Sequence, residues 1–135
     1  MATEKQIGVD LNFLGNRLKN IGYQDLDSSV IVTGNINVSP ANNFNPTGLQ
    51  DAAYLKITHA ALAVLSGIAA PTTAINKFLM IQNDSGSNIQ VNNNDASSLA
   101  ANRFLTQGNF LLQSNRVACL MYDQSVQRWR VISLS

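Results

Sequence analysis

Catalysis and metal binding need particular side chains at particular spacings, and this chain is poor in both. It has one histidine, His59, and one cysteine, Cys119. A nucleophile needs a base beside it, yet His59 follows strand-like Ile57-Thr58 and no Gly-x-Ser-x-Gly turn is present. Transition metals are held by clustered His and Cys, which one of each does not supply. Glycoside hydrolysis needs two carboxylates facing each other across a cleft. The eight acids Glu4, Asp10, Asp25, Asp27, Asp51, Asp84, Asp95 and Asp123 are scattered, mostly through turns and the N-terminal stretch. No Gly-rich loop leads into a helix to cradle phosphate. Calcium stays open, because Asp84 and Asp95 lie in oxygen-rich loops, although the spacing is not that of an EF-hand. The expectation is a protein that is not an enzyme, with no catalytic residue, no cofactor and no transition metal.

Two other groups carry recognition chemistry. Tyr122, Asp123 and Trp129 have the residue types of a sugar-stacking platform, the basis of an alternative glycan-binding function. Trp in a terminal strand also serves as a core or interface anchor. Arg128 and Arg130 flank Trp129 on the opposite face. They suit either carboxylates across a subunit boundary or solvated edge charges that discourage strand addition.

These residues need elements to position them, and composition points to β-structure. The chain has 135 residues, one ordinary domain able to bury its own core. With one cysteine it makes no intrachain disulfide, and the apolar neighbours of Cys119 mark it as a small buried hydrophobe. Net charge is +1 and 13% of residues are charged, so nothing draws the chain to nucleic acid or an acidic membrane. Asn, Gln, Ser and Thr make up roughly a third of it, and Asn supports turns by tolerating positive φ. The N-terminal residues lack a secretory signal. The longest apolar stretch, residues 60–70, is too short to span a bilayer.

Residues 1–29 are sparse in hydrophobics. Ile7, Val9 and Leu11 alternate with Gly8 and Asp10, which suits an extended arm, while Leu14, Leu18 and Ile21 fit a short helix that Gly15 and Gly22 weaken. The body, residues 30–135, reads as seven or eight short strands. They cover Val30 to Val38, Tyr54 to Thr58, Lys77 to Gln82, Ile89 to Val91, Phe104-Leu105, Phe110 to Leu112, Val117 to Tyr122 and Gln127 to Ser133. Residues 60–70 fit helix or strand, and the β-like surroundings favour strand, with a turn at Ser66-Gly67. Residues 77–82 look buried on both faces, and residues 83–88 look like the turn of a hairpin closed by Ile89 to Val91. The predicted fold is all-β, a β-sandwich or jelly-roll-like domain with an extended N-terminal arm. Val117 to Met121 is apolar on both faces, and the surplus face is most easily hidden against another subunit.

Two stretches carry a family resemblance. Asp10-Leu11-Asn12-Phe13-Leu14-Gly15-Asn16-Arg17-Leu18-Lys19-Asn20-Ile21 resembles the opening segment of phage tail-fibre proteins. From Lys77 to Val131, Leu79-Met80-Ile81-Gln82-Asn83, Asn92 to Phe104, Tyr122-Asp123 and Arg128-Trp129-Arg130-Val131 together are similar to a β module of phage fibres, spikes and head-decoration proteins. The resemblance implies a homotrimeric virion protein, assembled in the host cytoplasm. An N-terminal arm would hold it on capsid, neck or tail, with no nucleic-acid or membrane partner. The docking residues would be Leu11, Phe13, Leu14, Arg17, Leu18 and Ile21. The subunit interface would involve Val117, Cys119, Met121, Arg128, Trp129 and Arg130. Long fibres continue past such a module into a shaft or tip. This chain ends at Ser135, which leads us to expect a short head fibre, decoration knob or tail-fibre adaptor.

Overall fold

A computed structural model of the chain describes residues 30–134; the predicted arm and its six docking residues lie outside them. The described part is all-β: β1 (Val30–Ile36), β2 (Ala52–His59), β3 (Ala63–Leu65), β4 (Phe78–Asn83), β5 (Ile89–Val91), β6 (Phe104–Leu105), β7 (Phe110–Leu112), β8 (Val117–Asp123) and β9 (Arg128–Leu134). Two short 3-10 turns, Leu49–Asp51 and Ala100–Asn102, interrupt the loops. A six-stranded sheet has the order β1-β2-β4-β8-β9-β6, and a three-stranded sheet has the order β3-β5-β7.

The connections differ from those of a jelly roll. β1, β2 and β4 are parallel neighbours, and so are β3 and β5. β1, β2 and β4 each lead through a corner into a short segment in line with the other sheet, and the next coil lies beside it. Ala41 bridges Leu65, and Phe44 bridges Ile68, so the loop after β1 runs in line with the second sheet. Three coils of roughly 25 residues follow one another in this way. The direction then reverses, because β7 is antiparallel to β5 and β8 to β4. The hairpin β8–β9 and the short parallel strand β6 complete the sheet.

Two expectations fail for the same reason. The turn at residues 83–88 is a corner rather than a hairpin: β5 leaves the sheet of β4 and pairs with β3 and β7. Ser66 and Gly67 likewise form no reversal. Ser66 stays beside Ala41, and Gly67 bridges Arg103. Asn, Ser and Gly mark a change of direction in sequence, but a right-angle corner and a hairpin require the same residues. Residues 60–62 are a corner too, leading into β3, so the strand reading of residues 60–70 holds only for its middle.

The core lies between the sheets. Leu55, Ile57, Leu79, Ile81 and Leu120 face inward from the large sheet and meet Leu65, Ile89, Val91 and Leu112 of the small one. Period-two alternation sets this arrangement, since successive strand residues point to opposite faces. β8 alternates strictly between buried and half-buried residues. The expectation that residues 77–82 are buried on both faces is corrected: Leu79 and Ile81 are buried, but Phe78 and Met80 are 46% and 41% exposed.

Side chains secure the corners where the ladder stops. Ser39 Oγ accepts from the Val64 amide at 2.9 Å, and Ser85 Oγ from the His59 amide at 2.8 Å. Asn83, fully buried, donates from Nδ2 to the carbonyls of Ser87 (2.7 Å) and Leu112 (2.9 Å). Among the described residues, three of the four non-glycine residues with positive φ are asparagines: Asn43, Asn94 and Asn115. Asn visits the left-handed region more readily than most residues, which explains why an Asn-rich chain can make so many corners.

Candidate functional site

The groups that drew attention for their chemistry have structural work. The two His59 ring nitrogens contact the Ala61 carbonyl and Asn83 Oδ1, the second at 3.0 Å. Asp95 Oδ2 accepts from Asn92 Nδ2 at 2.7 Å and Oδ1 from the Ser97 amide at 2.9 Å. These bonds, that of Asn92 foremost, hold its carboxyl below the usual carboxylate range. Among the described residues no three His, Cys, Asp or Glu side chains come together as a metal site.

Sequence reasoning missed a buried polar knot that joins the first two coils to the loop at residues 95–103. Ser66 Oγ lies 2.6 Å from Asn42 Oδ1 and 2.7 Å from Ser98 Oγ. Asn43 Oδ1 accepts from the Leu99 amide at 2.7 Å and from Asn102 Nδ2 at 2.9 Å, while Asn102 Oδ1 accepts from the Ala70 amide at 2.8 Å. Gly67 sits against this knot, and a Cβ there would stand 2.6 Å from the Asn102 carbonyl oxygen and 2.7 Å from Ser98 Oγ. Among the described residues every buried side-chain nitrogen and oxygen has a partner. Such complete pairing rigidifies a structure.

Lys77 is the other unforeseen group. Its side chain is buried, and Nζ donates to the carbonyls of Leu49 (2.8 Å) and Gln50 (2.7 Å), in the first 3-10 turn. Burial pushes its pKa below the ordinary lysine value, and the Asp51 carboxylate pulls the other way. A lysine opening a strand gave no sequence signal that it would turn inward.

The predicted glycan platform is corrected. Trp129 and Tyr122 are 1% and 2% exposed. Their rings meet edge to face with centroids 5.1 Å apart, Trp129 Nε1 donates to the Ile68 carbonyl at 2.9 Å, and Tyr122 Oη donates to the Ala101 carbonyl at 2.9 Å. Neither ring offers a face to a sugar. Trp129 also leaves the predicted subunit interface, because it faces the protein's own core. Asp123 stands at the end of β8, where it accepts from Ser125 and pairs with Arg130 Nε at 2.7 Å.

The remaining predicted interface residues share one surface. In the register of the large sheet, Ile31 pairs with Tyr54, Tyr54 with Met80, and Met80 with Cys119. The neighbouring row runs from Phe78 to Met121 and on to Arg130, with Asp123 opposite Arg128 beyond it. Side chains at paired positions lie on the same face. The outer face of the sheet therefore carries Ile31, Tyr54, Phe78, Met80, Cys119 and Met121 as one apolar area, with Val117 in the next row and Arg128, Arg130 and Asp123 at one border. Cys119 is half-buried within it, so its expected burial is incomplete.

A second feature is an open cleft of about 570 Å³ beside β9, with Leu105, Phe110, Val131 and Leu134 as apolar walls. Its rim is fixed by the Thr106 amide donating to Asn93 Oδ1 and the Asn93 amide donating to Asn109 Oδ1, both at 2.8 Å. Among the described residues no helix is long and apolar enough to cross a membrane. Comparison with protein-family models, curated proteins and solved structures returns no match.

Proposed function

We propose that the chain is a non-enzymatic building block of a bacteriophage particle, a short β-solenoid that associates with its own copies through the outer face of the six-stranded sheet. The observation that carries self-association is the apolar area at Ile31, Tyr54, Phe78, Met80, Cys119 and Met121. Ile31 of β1, at 59%, and Phe78 and Met80 of β4 are large hydrophobic side chains left to solvent, with Tyr54 of β2 between Ile31 and Met80 in the same row. A contiguous patch of this kind marks an interaction surface more than chance exposure does. Copies covering one another also account for the apolar content on both faces of β8, and three copies is the number we assign.

The particle assignment rests on the resemblance of residues 10–21 and 77–131 to phage fibre and decoration proteins. Residues 1–29 are assigned to docking on capsid, neck or tail proteins. A scaffold whose polar groups are paired internally fits architecture better than turnover.

Native mass spectrometry of the full chain tests the core of this reading. A trimer is expected. Phe78→Glu with Met80→Glu, both at exposed positions, is expected to give a folded monomer with an unchanged circular-dichroism spectrum. A monomeric wild-type protein, or an oligomer indifferent to both charges, overturns it.

A further inference from the structure

We infer that the cleft beside β9 receives the N-terminal segment Ile7–Leu11 of a neighbouring copy as an added strand, so that within the arm assigned to docking this segment binds a copy and the rest remains for the particle. Three observations meet here. First, β6 covers β9 only at Trp129 and Arg130. From Val131 to Leu134, no described strand pairs with β9 on that side, although β8 pairs with it on the other through Ala118 and Cys119. An open strand edge is a template for another strand. Second, the cleft lies along this open stretch and is walled by Leu105, Phe110, Val131 and Leu134, so the edge comes with an apolar recess for alternate side chains. Third, the chain contains a segment of matching pattern outside the described residues: Ile7, Val9 and Leu11 alternate with Gly8 and Asp10. Five extended residues span about 17 Å, and the open edge of β9 spans about 13 Å.

Topology decides which copy supplies the segment. The segment leads into β1, and β1 and β6 are the two opposite edges of the large sheet. A route over the outer face to the chain's own cleft is closed by the proposed association; the assignment to a neighbour rests on that reading. Residues 12–29 reach up to about 60 Å when extended, ample for passage to an adjacent molecule. The rim bonds of Thr106, Asn93 and Asn109 fix the cleft before any strand arrives, which lowers the ordering cost of binding.

Full-length proteins carrying Cys119→Ser test this. One adds Val9→Cys and the other Leu134→Cys, an exposed position, with tags of different mass; the two are co-expressed and oxidised. The expected product is a disulfide-linked pair containing one chain of each kind. Adding Ile7→Asp and Leu11→Asp is expected to lower its yield about tenfold, the effect of roughly 1.4 kcal/mol of lost affinity. Amide exchange at residues 132–134 is expected to accelerate in that same variant. An oligomer without the mixed link, or with a yield indifferent to the two aspartates, overturns the inference and leaves the outer-face reading standing. A monomer in which a chain carrying both cysteines links only to itself overturns the neighbour assignment together with that reading.

Discussion

The knot around Ser66, Ser98 and Asn102 and the outer face of the large sheet invert the usual distribution of side chains. In the knot, neutral polar groups are buried and paired with one another. On the outer face, Ile31 of β1 and Phe78 and Met80 of β4 stand in solvent on either side of β2. The polar residues that ordinarily keep a β-protein soluble hold coils and corners together here, and large apolar side chains are left outside. One region is finished within a single chain; under the proposed association the other is completed only by another copy. A substitution in the first should therefore change stability, and one in the second should change association.

The sharpest contrast is between two aromatic residues at different depths of the same sheet. Trp129→Ala removes a side chain that is 1% exposed and bonded to the Ile68 carbonyl. It is expected to cost about 3–5 kcal/mol, read as the shift of a urea transition. Phe78→Ser, on the outer face, is expected to stay within about 0.5 kcal/mol when measured on the dissociated protein, while shifting the association equilibrium. If Phe78→Ser proved as costly to the lone chain as Trp129→Ala, the division between the two regions would collapse.

Gly67→Ala probes the knot directly. The added methyl group would sit 2.6 Å from a backbone oxygen and 2.7 Å from Ser98 Oγ, so Ser98 and the 3-10 turn at Ala100–Asn102 must shift. Overpacking of this kind costs about 1–3 kcal/mol. Gly86→Ala is the control, since nothing lies within 4 Å of a Cβ there; its transition is expected to move little. Equal effects at both glycines would mean that the close contacts with the knot contribute nothing to the cost.

These contrasts also show what the sequence made legible. Asn-rich turns and period-two hydrophobic runs were enough for an all-β body, and they placed β1, β2, β4, β8 and β9 within a residue or two. They did not reveal winding. A coil corner after Asn83 and a hairpin turn have the same local chemistry, and the choice depends on which strand waits at long range, Ala63–Leu65 rather than Phe78–Asn83. Val117, Cys119 and Met121 were legible as one face because alternation alone places them there. Trp129 was misread as an interface residue because its strand has apolar residues on both sides, and only the register against Tyr122 shows which side is inside. The knot was invisible, since Asn42, Asn43, Ser66, Ser98 and Asn102 come from three segments that meet only after folding.

Lys77 lies between the two regions, a charge drawn into the finished interior. Lys77→Met leaves the Leu49 and Gln50 carbonyls without its ammonium, and an unsatisfied buried polar group costs about 1–3 kcal/mol. The pH dependence separates this loss from simple packing. Burial lowers the folded pKa, so the unfolded chain binds the proton more tightly. Wild-type stability should therefore rise as pH climbs through the folded pKa toward the ordinary lysine value. Lys77→Met is expected to lack that rise when urea midpoints are compared at neutral and mildly alkaline pH. Parallel curves would show that the ammonium carries no such penalty.

The smallest effect belongs to the border of the unfinished face, where Asp123 accepts from Ser125 and pairs with Arg130. The Ser125 bond first, and Arg130 after it, hold the Asp123 carboxyl below the usual carboxylate range. The stabilising contribution is thus present above the unfolded pKa and disappears as pH falls through the lowered folded one. Exposed pairs of this type are weak and screened by salt, so Asp123→Asn is expected to shift the neutral-pH transition only slightly and to flatten its acid side. Association sharpens the test. If copies cover the outer face, the Asp123–Arg130 pair at its border loses solvent, its coupling strengthens, and the variant should weaken the oligomer more than it weakens the lone chain. An Asp123→Asn protein that loses equal stability in both states would place this border in open solvent and move the interface elsewhere on the sheet.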